Sequence, residues 1–233
     1  MRGALAFTAL LLALSLQGCA AAMDLGRATT LDPGDVRWSG GLEASVLRAG
    51  VRKEQESPIP WVQMETGVHL GVTDKIEVGG RAWGFGWPGL VTTFGVAADS
   101  KFQLHRGRFR GDPHLATGLT LTWYSPALGN QPWTLLGATV PLLVGFDIGK
   151  SQLVFGPRAT GWYVGSYGQT PLWTGEAGAG VGWSIRLGRA ELFPELLWMV
   201  SPINFDGARH TADRTGAEGF HAALGFAWHP SGD

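Results

Sequence analysis

The chain has 233 residues, a formal net charge of −1 and only 16% charged side chains, against roughly 25% in soluble domains. So weak and balanced a charge excludes the basic footprint of a nucleic-acid binder. Glycine at 36 and tryptophan at 11 are both frequent, and there is one cysteine, so neither an internal disulfide nor a multi-thiolate metal site can form. Low charge with high glycine and tryptophan is the composition of a sheet that faces lipid.

Met1-Arg2 supplies a positive charge, and Ala4 to Leu16 is apolar except for Thr8 and Ser15. This is the charged start and short hydrophobic run of a secretory signal, too short to stay as a membrane-spanning helix. Leu16-Gln17-Gly18-Cys19 follows, with a branched apolar residue and a small residue ahead of the cysteine. The segment resembles the lipobox of bacterial lipoproteins. That resemblance implies removal of residues 1–18, diacylglycerol on the Cys19 thiol and a further acyl chain, such as palmitate, on the new N-terminus. Two or more acyl chains, at about 0.8 kcal/mol per buried CH₂, anchor stably. The other reading is an ordinary secretory signal cut near Ala20-Ala21-Ala22. With Cys19 lipidated, the mature chain has no thiol nucleophile, its only non-protein group is the lipid, and residues 19–35 form a short periplasmic tether.

From residue 36 onward, apolar side chains fall on every second position. Val36, Trp38, Leu42, Ala44 and Val46 share one parity, as do Val62, Met64, Thr66, Val68, Leu70 and Val72. A tight turn at Thr73-Asp74 leads to Ile76, Val78, Gly80 and Ala82, and charges stay on the opposite parity. Period two with charge on one face is a strand signal that a helix cannot produce. It recurs at Phe94, Val96 and Ala98, at Leu115 to Trp123, and at Leu136 to Phe146. Ala177 to Ile185 and Phe220 to Trp228 complete the clear cases, while 151–165 and 189–200 carry the pattern more weakly. About ten strands are expected, within a range of eight to twelve, in one domain over 36–229, with 230–233 a tail.

The connections alternate in length. Thr73-Asp74, Gly149-Lys150-Ser151 and Gly188-Arg189 are short; 49–60, 124–132, 165–171 and 201–218 are long and rich in Pro, Gly, Ser and Asn. The 84–89 and 105–113 connections fit this alternation less well. Trp38, Trp183 and Trp228 fall toward one set of strand ends, and Trp123, Trp173 and Trp198 toward the other, as an aromatic girdle at two membrane interfaces would require. Trp61, Trp83, Trp133 and Trp162 share the charged parity and would close the mouth or line a cavity.

Residues 36–229 thus resemble the small bacterial outer-membrane β-barrels. The resemblance implies an all-β fold: a single antiparallel up-and-down transmembrane barrel with short periplasmic turns, longer outer loops and both termini periplasmic. The partners implied are outer-membrane lipids, with no nucleic acid. Two features depart from that family. The chain ends His229-Pro230-Ser231-Gly232-Asp233 after Trp228, without a terminal aromatic residue. Pro141, Pro157 and Pro194 interrupt strands; each lacks a ladder donor and is expected at a bulge.

The inward parity carries Glu43, Glu65, His69, Glu77, Arg81, Asp99, Lys101, Arg158, Glu176, Arg186, Glu191, Glu195 and His221. These form either an ion-pair network filling a narrow barrel or a polar conduit that takes a small charged ligand. No catalytic motif is present: there is no Gly-x-Ser-x-Gly elbow, no His-Glu-x-x-His helix and no phosphate loop. Asp206, Arg209, His210, Asp213 and Arg214 in the 201–218 loop could form an acid–base or metal cluster, as acidic and His residues do at the rim of a barrel protease, or a plain solvated loop. Arg106, Arg108 and Arg110 make a basic turn suited to lipid phosphates or peptidoglycan, and Arg110-Gly111-Asp112 within it is a chance triplet. Three readings follow: a structural or passive-transport membrane barrel, a lipid-anchored binding protein with a ligand in its lumen, and an outer-rim hydrolase.

Overall fold

The computed structural model describes residues 26–49, 59–87, 90–109, 111–126, 133–166, 172–205 and 217–230. Cys19, the signal segment, Arg110 and the loop carrying Asp206, Arg209, His210, Asp213 and Arg214 lie outside the described residues. The strands are β1 (Val36–Ala49), β2 (Ile59–Thr73), β3 (Ile76–Trp87), β4 (Leu90–His105) and β5 (His114–Pro126). They continue with β6 (Trp133–Ile148), β7 (Ser151–Ser166), β8 (Leu172–Leu187), β9 (Ala190–Phe205) and β10 (Ala217–Trp228). Each pairs antiparallel with its sequence neighbours, and β1 pairs with β10, so the sheet closes on itself without an edge. The expected all-β, ten-stranded up-and-down barrel is the fold. The weakly patterned segments 151–165 and 189–200 are the full sixteen-residue strands β7 and β9.

The alternation read in the sequence sorts the side chains. Met64 is 68% exposed while its neighbour Gln63 is 3% exposed. Trp38, Leu42, Phe94, Leu121, Val140, Leu196, Leu224 and Phe226 likewise stand outward around the ring. Trp38 on β1 faces Trp228 on β10 at the end of the barrel that holds both of these strand ends, called here the terminal mouth. Trp183 lies toward that mouth, and Trp123 and Trp173 lie near the opposite ends of β5 and β8. Trp198 does not lie at a strand end: β9 runs on to Phe205, five residues beyond the end read from the pattern, which leaves Trp198 near the middle.

The prolines correct a second expectation. The register shifts lie at Gly71/Thr73, Phe85/Gly86, Gln103/His105 and Gly175/Ala177, and none is at a proline. Instead the ladder skips the missing donor and resumes in the same register. Between β5 and β6 pairing passes from Thr117↔Leu142 to Thr120↔Thr139 across Pro141. Between β8 and β9 it passes from Gly182↔Glu195 to Ile185↔Leu192 across Pro194. The Thr117 hydroxyl donates to the Pro141 carbonyl at 2.8 Å and holds the strands together beside the gap. Closure explains the tolerance: a strand bonded on both sides keeps its place when one rung is lost.

The short turns Gly149-Lys150 and Gly188-Arg189 each begin with a glycine at φ 66°, where an L side chain crowds its own backbone. Gly188→Ala is therefore expected to lower stability by about 1 kcal/mol in urea unfolding of the detergent-solubilised protein. Gly161→Ala, at an outward position with open space, should leave it unchanged.

Candidate functional site in the barrel lumen

The lumen is filled in three distinct ways. Toward the long-loop end the filling is aromatic. Trp83 from β3 meets Tyr124 from β5 with ring centroids 5.1 Å apart, and Tyr124 meets Trp162 from β7 at 5.9 Å. Leu135 joins them in full burial. Room for these rings comes from the facing strands: Gly95 presents bare backbone to the Trp83 indole, and Gly137 does so to Trp162. The Trp162 Nε1–H donates to the Glu176 carboxylate at 2.9 Å. Trp61 and Trp133 share this inward parity, but their side chains lie outside the described residues.

Ion pairs fill the middle. Arg81 donates through Nε and Nη2 to both Asp99 oxygens, at 2.6 and 2.8 Å, and reaches Glu65 at 3.3 Å. Thr120 adds a hydroxyl donor to Asp99 at 2.8 Å. Glu77 is the hub of a second group, with Arg37 at 2.7 Å, His69 at 3.3 Å and Lys101 at 3.5 Å. A buried carboxylate is tolerable only when it is paired and hydrogen-bonded, and each of these is. Across β1 and β10, Glu43, Ser45 and His221 form a buried triangle: Ser45 Oγ to Glu43 Oε1 2.5 Å, His221 Nδ1 to Ser45 Oγ 2.8 Å and to Glu43 Oε1 2.7 Å.

At the terminal mouth the chain fills its own barrel. Residues 26–31, in the part of the sequence expected to be a tether, run into the lumen and are bonded by inward side chains from four strands. Gly26 N donates to Glu195, Ala28 N to Gln152, Thr30 N to Gln103 and Leu31 N to Glu77, at 3.2, 2.6, 2.9 and 3.1 Å. Gln103 Nε2 donates back to the Ala28 carbonyl at 3.0 Å, and Arg106 to the Thr30 carbonyl at 3.1 Å. Ala28 is fully buried in a cluster with Ala116, Leu143 and Val154. Arg27 lies 3.5 Å from Glu191, which also accepts from Ser184 and His229. His114 and Gln152 hold Asp147 at 2.8 and 2.9 Å beside it. A turn over Asp32–Asp35, bonded to Gly71, then leads the chain into β1.

Between this segment and the ion pairs lies a cavity of about 60 Å³, bordered by Gly26, Arg37, His69, Lys101, Phe193 and Glu195. At roughly 10–15 Å³ for one water, it takes a few waters and no larger solute.

Of the inward residues read from the sequence, Glu65, His69, Glu77, Arg81, Asp99 and Lys101 are brought together, Glu43 meets His221, and Glu176 meets Trp162. Arg158 is buried on the same face. Glu191 and Glu195 serve the N-terminal segment, and Arg186 departs from the set: its Nε bonds the Gly188 carbonyl in the turn at the mouth. Sequence reasoning missed Arg37, Gln103 and Gln152, although all three sit on the charged parity of their strands. It also missed residues 26–31, which carry no periodic signal. In the basic turn, Arg106 is taken up by Thr30 and Asp32. Asp112 braces that turn, and the Arg108 amide and His105 hold its carboxyl below the usual range. Phe109 stands out at its tip.

No family model matches the chain, and no curated protein is similar to it. Among solved structures it is similar to the outer membrane protease OmpT from Escherichia coli, with 10% identity over 87% of this chain and 100% of that chain at a TM-score of 0.44. It is also similar to the translocator domain of the autotransporter NalP from Neisseria meningitidis, with 12% identity over 97% of this chain and 95% of that chain at a TM-score of 0.42. A third is Neisserial surface protein A, with 6% identity over 83% of this chain and 96% of that chain at a TM-score of 0.42. Likenesses this distant assign no activity.

Arg81→Met is expected to cost about 3–5 kcal/mol, because it leaves Glu65 and Asp99 buried without their shared cation. Adding Glu65→Gln should recover part of the loss in the same urea titration. Gly137→Leu drives a side chain into Trp162 and should lower the unfolding midpoint together with the tryptophan near-ultraviolet circular dichroism.

Proposed function

We propose that the chain is an integral β-barrel lipoprotein of the bacterial outer membrane, tethered by lipid on Cys19, with both termini periplasmic and a structural, non-catalytic role. The observation that carries this reading is the inversion of polarity around a closed ring. Carboxylates and arginines are buried inside, while tryptophan, phenylalanine, leucine and valine stand exposed on the outside of all ten strands. Soluble monomers rarely expose apolar patches above a few hundred Å², and a continuous apolar belt is suited to hydrocarbon. A lipid-tethered soluble barrel would need the opposite arrangement.

The filled lumen favours a wall over a pore. Among the described residues, aromatic rings, ion pairs and the chain's own N-terminal segment occupy it in turn, and the cavity beside that segment is of water size. The buried Ser45, Glu43 and His221 do not support hydrolysis. A serine nucleophile and its orienting carboxylate need opposite nitrogens of the histidine, and here both contact Nδ1. Rim chemistry in the 201–218 loop would be a separate activity, and no described residue speaks for it.

The test is gel migration of outer-membrane fractions with and without boiling. A folded transmembrane barrel should run faster unboiled, and Cys19→Ser should keep that shift while abolishing incorporation of labelled palmitate. In planar bilayers the purified protein should give no steady conductance steps. A Cys19→Ser protein that is monomeric in buffer without detergent, or a persistent open channel, would overturn this reading.

A further inference from the structure

We propose that the terminal mouth is a binding site for the main chain of a short, bent peptide, occupied in this structure by residues 26–31 and able to take a second peptide of the same character. The contacts are those of a receptor rather than of a packed terminus. Six hydrogen bonds run between backbone groups of this short segment and side chains of the barrel, five on strands and one, Arg106, in the β4–β5 turn; four are from its N–H groups and two to its carbonyls. Strand pairing is not involved, so the barrel loses no ladder bond to hold the segment. Gln103 reads both polarities of the peptide, accepting from Thr30 N and donating to the Ala28 carbonyl. Amide and carboxylate side chains bonded in this manner recognise backbone geometry whatever the sequence.

Two further contacts add sequence preference. The Ala28 methyl is enclosed by Ala116, Leu143 and Val154, and Gly145 lies directly beneath it, where a Cβ would strike the methyl. This seat accepts a small side chain and nothing larger. One residue earlier, Arg27 points to Glu191 and Asp147, at 3.5 and 3.9 Å. The preferred ligand is thus a short peptide that can bend as residues 26–29 do, with a basic residue followed directly by alanine, serine or glycine. While the tethered segment remains, its high effective concentration, on the order of millimolar for a short linker, keeps other peptides out.

The exposed turn at Asp32, Pro33 and Gly34 gives a way to break that tether outside the lumen, leaving the side chains that bond residues 26–31 in place. A specific protease sequence inserted between Pro33 and Gly34 of the Cys19→Ser chain, cut after folding in detergent, leaves the segment held only by the mouth. A fluorescent peptide of residues 26–33 should then exchange into the cut barrel, read by anisotropy, and should not enter the uncut one. Ala28→Trp in the peptide should abolish binding, and Arg27→Glu should weaken it at least tenfold. As a second route, Ala28→Trp in the uncut chain should evict the resident segment and let the wild-type peptide bind without proteolysis. The proposal fails if a cut barrel that keeps its heat-modifiable migration takes up no peptide. It also fails if the Ala28→Trp peptide binds as well as the natural one.

Discussion

A charged side chain inside this barrel has nowhere to go but to another side chain. Closure of ten strands leaves each residue one of two surroundings, and alternation assigns them strictly in turn. The inner one is too narrow to hydrate an isolated ion, whose transfer out of water costs several kcal/mol even after relaxation. Every inward carboxylate therefore demands a donor. The pairing of Arg81 with Asp99 and Glu65, and the convergence of Arg37, His69 and Lys101 on Glu77, are consequences of this demand rather than separate devices.

The same narrowness explains the glycines. Large rings and large voids cannot coexist on facing strands at interior packing density, so an indole on one strand requires bare backbone on the next. Trp83 lies against Gly95 and Trp162 against Gly137. The composition, rich in both residues, is in this sense one fact: the tryptophans that turn inward use glycines to fit. The outward tryptophans, such as Trp38 beside Trp228, answer to a different requirement, an apolar ring with a polar edge at the border of the exposed belt.

Most of the architecture was legible in the sequence because a barrel repeats one simple rule. Parity alone separates Met64 from Gln63 and places Glu43, Glu77 and His221 inside. What parity cannot supply is partner choice across strands, which depends on register. Arg37 lies six residues from Glu43 on the same inward face of β1, yet its partner is Glu77 on β3, brought near through the intervening β2. The prolines misled for a related reason. A proline in an open sheet argues for an edge or a bulge, whereas in a closed one the neighbouring rungs carry the strand past the gap. Residues 26–31 were illegible because they form neither strand nor helix. Their position is written in Gln103, Gln152, Glu195 and Glu77, residues that as sequence say only that they point inward.

That segment also completes the charge account. Among the described inward side chains of the strands, Glu43, Glu65, Glu77, Asp99, Glu176, Glu191 and Glu195 outnumber Arg37, Arg81, Lys101 and Arg158. Glu191 and Glu195 carry this excess of acid toward the residues at the terminal mouth. Arg27 supplies a cation to Glu191, and the backbone N–H groups of Gly26 and Leu31 supply donors to Glu195 and Glu77. Were the segment withdrawn, these carboxylates would lose those donors and would have to be hydrated in the space it vacates. Seating of the N-terminal segment and closure of the acidic mouth are therefore one thermodynamic event: the segment brings a cation and backbone donors to carboxylates of the wall as it enters the lumen.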